Sequence, residues 1–388
     1  MNNLNFIKAQ KVAYTHSGMF HADDLLASAL VLNLNPELII KHIPNADAID
    51  PDKCLIYDIG GGKYDHHCIP LKTRKNNIPY AAFGLLYKDL KYDLFTDAEA
   101  ADMYDDIFVS ECDRCDNSAD TNILETALKF CNPAWNEEKS ADTSFLHTVD
   151  LLIPLLQSSI SYFDRTKYVP KFNTLMPTYI TEALDDLIRE KYPDYINKNI
   201  GTFQYMTMNR LSILTDNPEG VWKFIFNFQK VYGKYKTNPL LMLIQGGDHK
   251  DVKNFFKEMI RRKIIQQKAY EDADIELEKR YKKGDSYLLL NKYIPYQNFT
   301  NKERKIKIVA FPSERGGYCV SYCSLSPEEK KEKGITGGTI YRELFPQELR
   351  GKEFNDRKDG ITFVHKGGHM AIFKDLNSVM GYINAINK

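Results

Sequence analysis

Short apolar runs alternate with helical repeats over the first 130 residues. Positions 12–14 read as a strand, and Asp23 or Asp24 then opens a helix carrying Leu25, Leu26, Ala29 and Leu30. An aspartate there caps the helix and suits its positive end. Segments 38–43 and 54–59 predict two more strands, the second running into Gly60-Gly61-Gly62. Pro79 fits the first turn of a helix through Ala82, Leu85 and Leu86. Ala100, Met103, Tyr104, Ile107 and Phe108 recur at helical spacing and predict one helix over 97–116. Residues 145–285 read as mostly helical, and from Ser286 strand-like runs return at 286–293, 305–311, 318–325 and 362–365, with a last helix opened by Asp375 or Asn377. The pattern predicts an α/β fold in three parts. A mostly parallel sheet flanked by helices spans 1–145, a helical connecting region or insertion 146–270, and a smaller α+β domain 271–388.

With 388 residues, 43% of them hydrophobic and 27% charged, the chain is globular and neither disordered nor fibrous. Lys plus Arg and Asp plus Glu both number 52, so any nucleic-acid contact needs a local basic patch. The stretch 250–268 is one candidate: Val252, Phe255, Phe256, Met259 and Ile260 share a face, and seven basic against two acidic residues fill the rest. A solvated polar face is the plainer reading, and a phosphate-backbone surface the alternative. Seven cysteines, an odd number at irregular spacing, suggest free thiols in a reducing compartment. Neither a leader nor an apolar run of ~20 residues is evident, so a cytoplasmic protein without membrane contact is expected.

Three groups of histidine and aspartate fall where predicted strands run out into loops, the place where open α/β sheets assemble sites. The first holds His16, His21, Asp23 and Asp24, the second Asp58, and the third Asp65, His66 and His67. Singly, a histidine is usually structural and an aspartate at a helix start usually a cap. Asp58 has no such role, because it closes an apolar strand before three glycines. If extended, His66 and His67 point to opposite sides, one toward a metal and the other toward a substrate. Mixed imidazole and carboxylate donors suit Mn²⁺, Zn²⁺ or Fe²⁺ better than Ca²⁺ or an all-oxygen Mg²⁺ site. Six or more exceed one tetrahedral ion and fit two bridged ones. Near the C-terminus, Arg350 and His365-Lys366-Gly367-Gly368-His369 form a candidate phosphate site. A Gly-Gly turn admits a phosphate to backbone N–H groups, and the flanking Lys and His add positive charge. A tight turn with a solvated lysine is the bland alternative.

The order of these motifs resembles the DHH phosphoesterase superfamily. Residues 15–24, Asp58-Ile59-Gly60-Gly61, Tyr64-Asp65-His66-His67, Asn132-Pro133-Ala134-Trp135-Asn136 and Phe363-Val364-His365 are similar to its MYG-type (melanocyte proliferating gene) exonuclease branch. The likeness covers about 10–145 and 280–388. It implies a fourth motif, an aspartate on a helix crossing the site, within 111–117. There Asp113 is the expected metal ligand and Asp116 an orienting group, with Cys112-x-x-Cys115 as half a zinc knuckle the alternative. The implied metal set is His16, His21, Asp23, Asp58, His66 and Asp113, with Asp58 bridging. The implied catalytic set is Asp58, Asp116 and His67, the last pointing at phosphate, and Arg350, His365, Lys366, Gly367, Gly368 and His369 are implied substrate contacts. The expected cofactors are two divalent ions, Mn²⁺ with Mg²⁺ or Zn²⁺ as alternatives. The expected activity is 3′–5′ exoribonuclease action on single-stranded RNA, or another phosphodiester, through a metal-activated water. A small-molecule phosphohydrolase acting on pyrophosphate, a dinucleotide or a nucleotide, and a non-catalytic RNA-binding module, are the competing readings. The oligomeric state is open, a homodimer among the options.

Overall fold

The computed structural model describes residues 2–67, 71–118, 121–196, 200–231, 237–301, 305–313, 316–335 and 340–386. It forms two units, residues 1–266 and 267–388.

The first unit opens with α1 (Asn3–Ala9), β1 (Val12–His16), α2 (Ala22–Leu34), β2 (Ile39–Ile43) and β3 (Leu55–Ile56). β1 lies between β2 and β3 and pairs parallel with both, from Val12 opposite Ile39 to His16 opposite Ile43 and with Tyr14 opposite Ile56. Parallel pairing puts all three carboxyl ends on one edge of the sheet. Helix α2 is buried on every side from Ala22 to Val31, as a helix sandwiched between layers must be.

Then follow α3 (Ala82–Leu94), α4 (Ala98–Tyr104), α5 (Ser110–Asp116), α6 (Ile123–Lys129) and α7 (Ala141–Thr166). The run expected as one helix over 97–116 contains a π turn at Asp105–Val109, where the Ser110 amide reaches back five residues to the Asp105 carbonyl. One extra residue in a turn rotates everything beyond it, which matters for the site. Pro79 is not in a helical turn; it pairs with Thr73 ahead of α3. The N-cap of α3, Ala81, has no side-chain acceptor. Carboxylates from other elements replace it: Asp23 accepts from the Ala82 and Phe83 amides at 2.9 and 2.7 Å, and Asp113 from the Gly84 amide at 3.1 Å.

The helical stretch contains α8 (Met176–Lys191), α9 (Phe203–Leu214), α10 (Pro218–Phe226), α11 (Pro239–Ile244) and α12 (His249–Arg280), the last continuing into the second unit. Its apolar faces join the core built around the sheet: Leu155 and Leu156, Ile180 and Leu184, and Phe255 and Phe256 belong to one contiguous cluster with Ala13 and Leu55. The polar face of α12 is ion-paired. Lys253 meets Asp186 at 2.8 Å, Lys257 and Arg261 both meet Glu190 at 2.7 Å, and Arg262 meets Glu137 at 2.6 Å.

The second unit holds β4 (Tyr287–Leu289), α13 (Gln297–Thr300), β5 (Ile308–Pro312), β6 (Tyr318–Tyr322), α14 (Pro327–Glu332), β7 (Lys352–Glu353), β8 (Ile361–Val364), β9 (Met370–Phe373) and α15 (Leu376–Ile386). The sheet order is β4-β5-β6-β9-β8-β7, parallel at β4–β5 and antiparallel elsewhere. Ile308, Val320, Phe373, Val379 and Ile383 form its own core. β7 and β9 carry no periodicity long enough to predict. Among the described residues no helix is long and apolar enough to cross a membrane, and Cys54, Cys112, Cys115, Cys131, Cys319 and Cys323 are free thiols; Cys68 lies outside them.

Candidate metal centre

The strand ends build the site. His16 is the last residue of β1, and Asp58 stands two residues beyond β3. Asp58 takes a left-handed backbone conformation (φ 60°), which costs a residue other than glycine about 1 kcal/mol or more and persists only where neighbours impose it. They do so here: the Asp58 amide donates to the Tyr64 carbonyl at 3.1 Å and the Tyr57 amide to the Tyr14 carbonyl at 3.0 Å. The turn aims the Asp58 carboxylate between two imidazoles. Its Oδ2 lies 3.2 Å from His16 Nε2 and its Oδ1 3.0 Å from His66 Nε2. Around them, Asp24 Oδ2 stands 3.0 Å from His16 Nε2, and Asp116 Oδ2 3.3 Å from His66 Nε2. Three overlapping sets of potential ligands result: His16, Asp24 and Asp58; Asp58, His66 and His67; and Asp23, His66 and Asp116.

Asp24 Oδ2 and Asp58 Oδ1 are buried yet accept no hydrogen bond, although an imidazole nitrogen is 3.0 Å from each. Such orphaned acceptors are costly. Lone pairs converging at this spacing are what a cation needs, because donors about 2.1 Å from an octahedral ion lie about 3.0 Å apart. The donor set therefore fits divalent metal. Charges respond accordingly. Burial alone would lower the His16 pKa, but Asp24 and Asp58 override it and push it up to about 11. His66, likewise opposed by burial, is raised to about 9 by Asp58 and Asp116. Burial raises Asp23 and Asp116, and neighbouring carboxylates raise them further; Asp58 is held below the usual carboxylate range by the two imidazoles despite its burial.

The structure redistributes several expected roles. Asp113 belongs to none of the three ligand sets: its Oδ2 contacts Arg74 at 2.6 Å and its Oδ1 accepts from the Gly84 amide, so it joins α5 to α3. Asp116, expected only to orient, is the α5 carboxylate that reaches the cluster. Two residues three apart diverge here because α3 approaches so closely that a Cβ on Gly84 would fall 1.7 Å from Asp113 Oδ2. Asp24, expected as a helix-start residue, enters the cluster, while its Oδ1 accepts from the His21 amide at 2.8 Å. His21 stays at the rim, its side chain 44% exposed and its Nδ1 4.0 Å from Asp116. His66 and His67 do not point to opposite sides: the segment is irregular and their rings are 4.2 Å apart. His67 is 59% exposed, and its Nδ1–H donates to Asp65 at 2.8 Å, leaving Nε2 free. Asp65 also accepts from the His67 and Gly61 amides, at 2.9 and 2.6 Å, and so fixes the loop. Cys112 and Cys115 belong to none of the three ligand sets.

In the second unit, Arg350 Nε donates to the Phe345 carbonyl at 2.8 Å, and Gly368, at φ 67°, seats against Arg350 where a Cβ would fall 2.3 Å from Nε. His369 stacks on Tyr341 (4.4 Å, 8°) and meets the His365 ring at 4.7 Å. Burial, then His365, lowers the His369 pKa, so it adds less positive charge than expected. His365 Nδ1 accepts from the Gly367 amide at 3.0 Å, and Lys366 is exposed.

Asn132 explains the Asn-Pro-Ala-Trp-Asn stretch. Its Oδ1 accepts from the Phe20 amide at 2.9 Å and its Nδ2 donates to the Phe20 carbonyl at 2.8 Å, clamping the loop between His16 and His21. The Asn132 carbonyl is held in turn by Arg262 and Gln266 of α12, both at 2.7 Å. Asn132→Ala strips both partners from the buried Phe20 backbone and is expected to cost about 2–4 kcal/mol in urea unfolding. A loss below about 0.5 kcal/mol would show that the clamp holds nothing.

Comparison with known proteins points the same way. Residues 12–179, less than half of the chain, match the family model for MYG1 exonucleases, described as "Uncharacterised protein family (UPF0160)". The chain is 27% identical over 179 residues to the MYG1 exonuclease of Homo sapiens (36% of this chain, 47% of that protein). It is 29% identical over 181 residues to the MYG1 exonuclease of Mus musculus (36% and 46%), and 27% identical over 157 residues to the MYG1 protein of Chlamydia pneumoniae (36% and 52%). The chain spans about half the length of the curated relatives it matches. The matched segment contains His16, Asp23, Asp24, Asp58, His66, His67, Asp116 and Asn132, and over that segment the chain is similar to the MYG1 exonuclease family.

Proposed function

We propose that the chain is a divalent-metal-dependent phosphodiesterase, a nuclease that shortens single-stranded RNA from its 3′ end. The observation that carries the hydrolytic reading is the set of buried, unsatisfied donor atoms on Asp24 and Asp58 between His16, His66 and Asp116. The polymer reading is supported by relatives named exonucleases. His16, Asp24 and Asp58 would hold one ion, and Asp58, Asp23, His66 and Asp116 a second, Mn²⁺ being the favoured metal. When bound, the ions supply Lewis acidity and an acidified water. Asp58 belongs to both sets and ties them together. His67, held through Nδ1–H by Asp65, would in its doubly protonated form donate from the exposed Nε2–H to a phosphate oxygen as negative charge builds there. His21, at the rim beside Asp116, is a further substrate-facing imidazole. In the second unit, Arg350, His365, Lys366, Gly367, Gly368 and His369 are the proposed substrate contacts, Arg350 and Lys366 for phosphate and the His369–Tyr341 stack for a base. Cytoplasmic location belongs to the same reading.

One observation favours the small-molecule alternative. Four of the seven cations at 250–268 of α12 that could have tracked a phosphate backbone, Lys253, Lys257, Arg261 and Arg262, are engaged by Asp186, Glu190 and Glu137. An assay with 5′- and 3′-labelled RNA, DNA, dinucleotides and pyrophosphate in Mn²⁺ separates the readings. Stepwise release of mononucleotides from the 3′ end of RNA, lost with chelator, is expected. Turnover of dinucleotides or pyrophosphate alone would transfer the assignment to a small substrate, and tight RNA binding without turnover to a binding module.

A further inference from the structure

We propose that Asn117 is a positioning residue of this centre, fixing the tautomer and ring plane of His66 so that Nε2 carries the free lone pair into the carboxylate cluster. The assignment rests on the metal-site reading above. Asn117 is the C-cap of α5, directly after Asp116. Its Nδ2 donates to two main-chain carbonyls, Tyr80 at 3.2 Å and Asp113 at 3.0 Å. Carbonyls only accept, so the amide group must face them and Oδ1 must face away. Oδ1 lies 3.2 Å from His66 Nδ1. Turning the amide over would lose both donations and set its oxygen against two other oxygens. Oδ1 is therefore an acceptor, and Nδ1 must hold the proton. The remaining ring nitrogen, Nε2, is the one 3.0 Å from Asp58 and 3.3 Å from Asp116.

The arrangement removes freedom that the ligand would otherwise keep. The ring of His66 sits on an irregular loop with no sheet or helix to hold it. Through Asn117 it is referred to the end of α5 and to the main chain just before α3, both anchored in the core. Consecutive residues at one helix end thus supply a carboxylate donor and the group that orients its imidazole neighbour. Aspartate at 117 would still accept from Nδ1 but would give up both donations and add a negative charge beside four carboxylates. Partners of this kind orient the ligand and raise its basicity, and their loss commonly weakens metal binding 10–100-fold.

Long-range ¹H–¹⁵N spectra of the histidine rings test this on the wild-type chain, both loaded with Zn²⁺ and metal-free in alkaline buffer where the ring is neutral. The expected result is His66 protonated at Nδ1 and bare at Nε2; the opposite tautomer would overturn the proposal. In titration calorimetry, Asn117→Ala should lower Zn²⁺ affinity by about 10–100-fold with unchanged circular dichroism, and Asn117→Asp should lie between it and wild type. A folded Asn117→Ala protein binding Zn²⁺ within twofold of wild type would also overturn it. If that variant fails to fold, the wild-type ring spectrum decides alone. Failure of the metal-site reading looks different: wild type would bind no Zn²⁺, while the metal-free spectrum still reports the tautomer.

Discussion

Asp58→Asn is expected to abolish phosphodiester hydrolysis while leaving the protein folded. Among the described residues, Asp58 is the carboxylate that pairs with both His16 and His66, and it is common to the ligand sets on either side. An amide keeps the shape but neither the charge nor two equivalent acceptor oxygens. Losing a shared ligand removes several kcal/mol of charge stabilisation, so turnover should fall on the order of 10³-fold. The fold should survive, since asparagine is among the few residues at ease in the left-handed region that Asp58 occupies. Alanine has no such ease, and Asp58→Ala would confuse strain with lost chemistry. Turnover under saturating Mn²⁺ and the thermal midpoint of the metal-free variant check the two halves. Normal turnover in a folded Asp58→Asn protein would end the metal-centre reading.

Raising the pH should tighten metal binding steeply while weakening the metal-free fold. His16 and His66, with pKa values near 11 and 9 against an ordinary 6.5, are imidazolium at pH 7 when no cation is bound. A ligating nitrogen must be neutral, so binding at pH 7 to 8 should release at least the two imidazolium protons per chain. Log affinity should then climb with a slope of about 2 up to pH 9 and about 1 from 9 to 11. Stability of the metal-free protein has the opposite sign. Because both folded pKa values are raised, the ion pairs contribute fully below pH 6.5, and their contribution is lost as pH passes 9 and then 11. Calorimetry in buffers of different ionisation enthalpy counts the protons, and melts with and without chelator should diverge as pH rises. Metal binding with no proton release at pH 7 would contradict the assigned ligands.

Much of the site was legible because it follows local order. An apolar strand, a histidine at its end, and an acidic start to the next helix can be read from neighbours in the chain. Parallel pairing then gathers such ends on one edge. What misled the reading was direction. Asp113 and Asp116 share a side of a helix in projection, yet the close approach of Gly84 and Arg74 takes up Asp113 while Asp116 reaches His66. Asp23 and Asp24 look interchangeable as caps, but Asp23 caps a different helix, α3, through two backbone amides. Lys253, Lys257, Arg261 and Arg262 of α12 look available for nucleic acid in the sequence, but α8 and the loop at Glu137 pack against them and pair their charges.

The sequence by itself determined the order of strands and helices from β1 to β3, the apolar faces of the longer helices, and the small set of imidazoles and carboxylates from which a metal centre could be drawn. Those features depend on residues near one another in the chain. Only the tertiary structure decided which oxygen and which nitrogen each residue offers, and to whom. A side chain's direction and a ring's tautomer are set by partners more than 25 positions away, as Asn117 is for His66, Asp113 for Gly84 and Asn132 for Phe20.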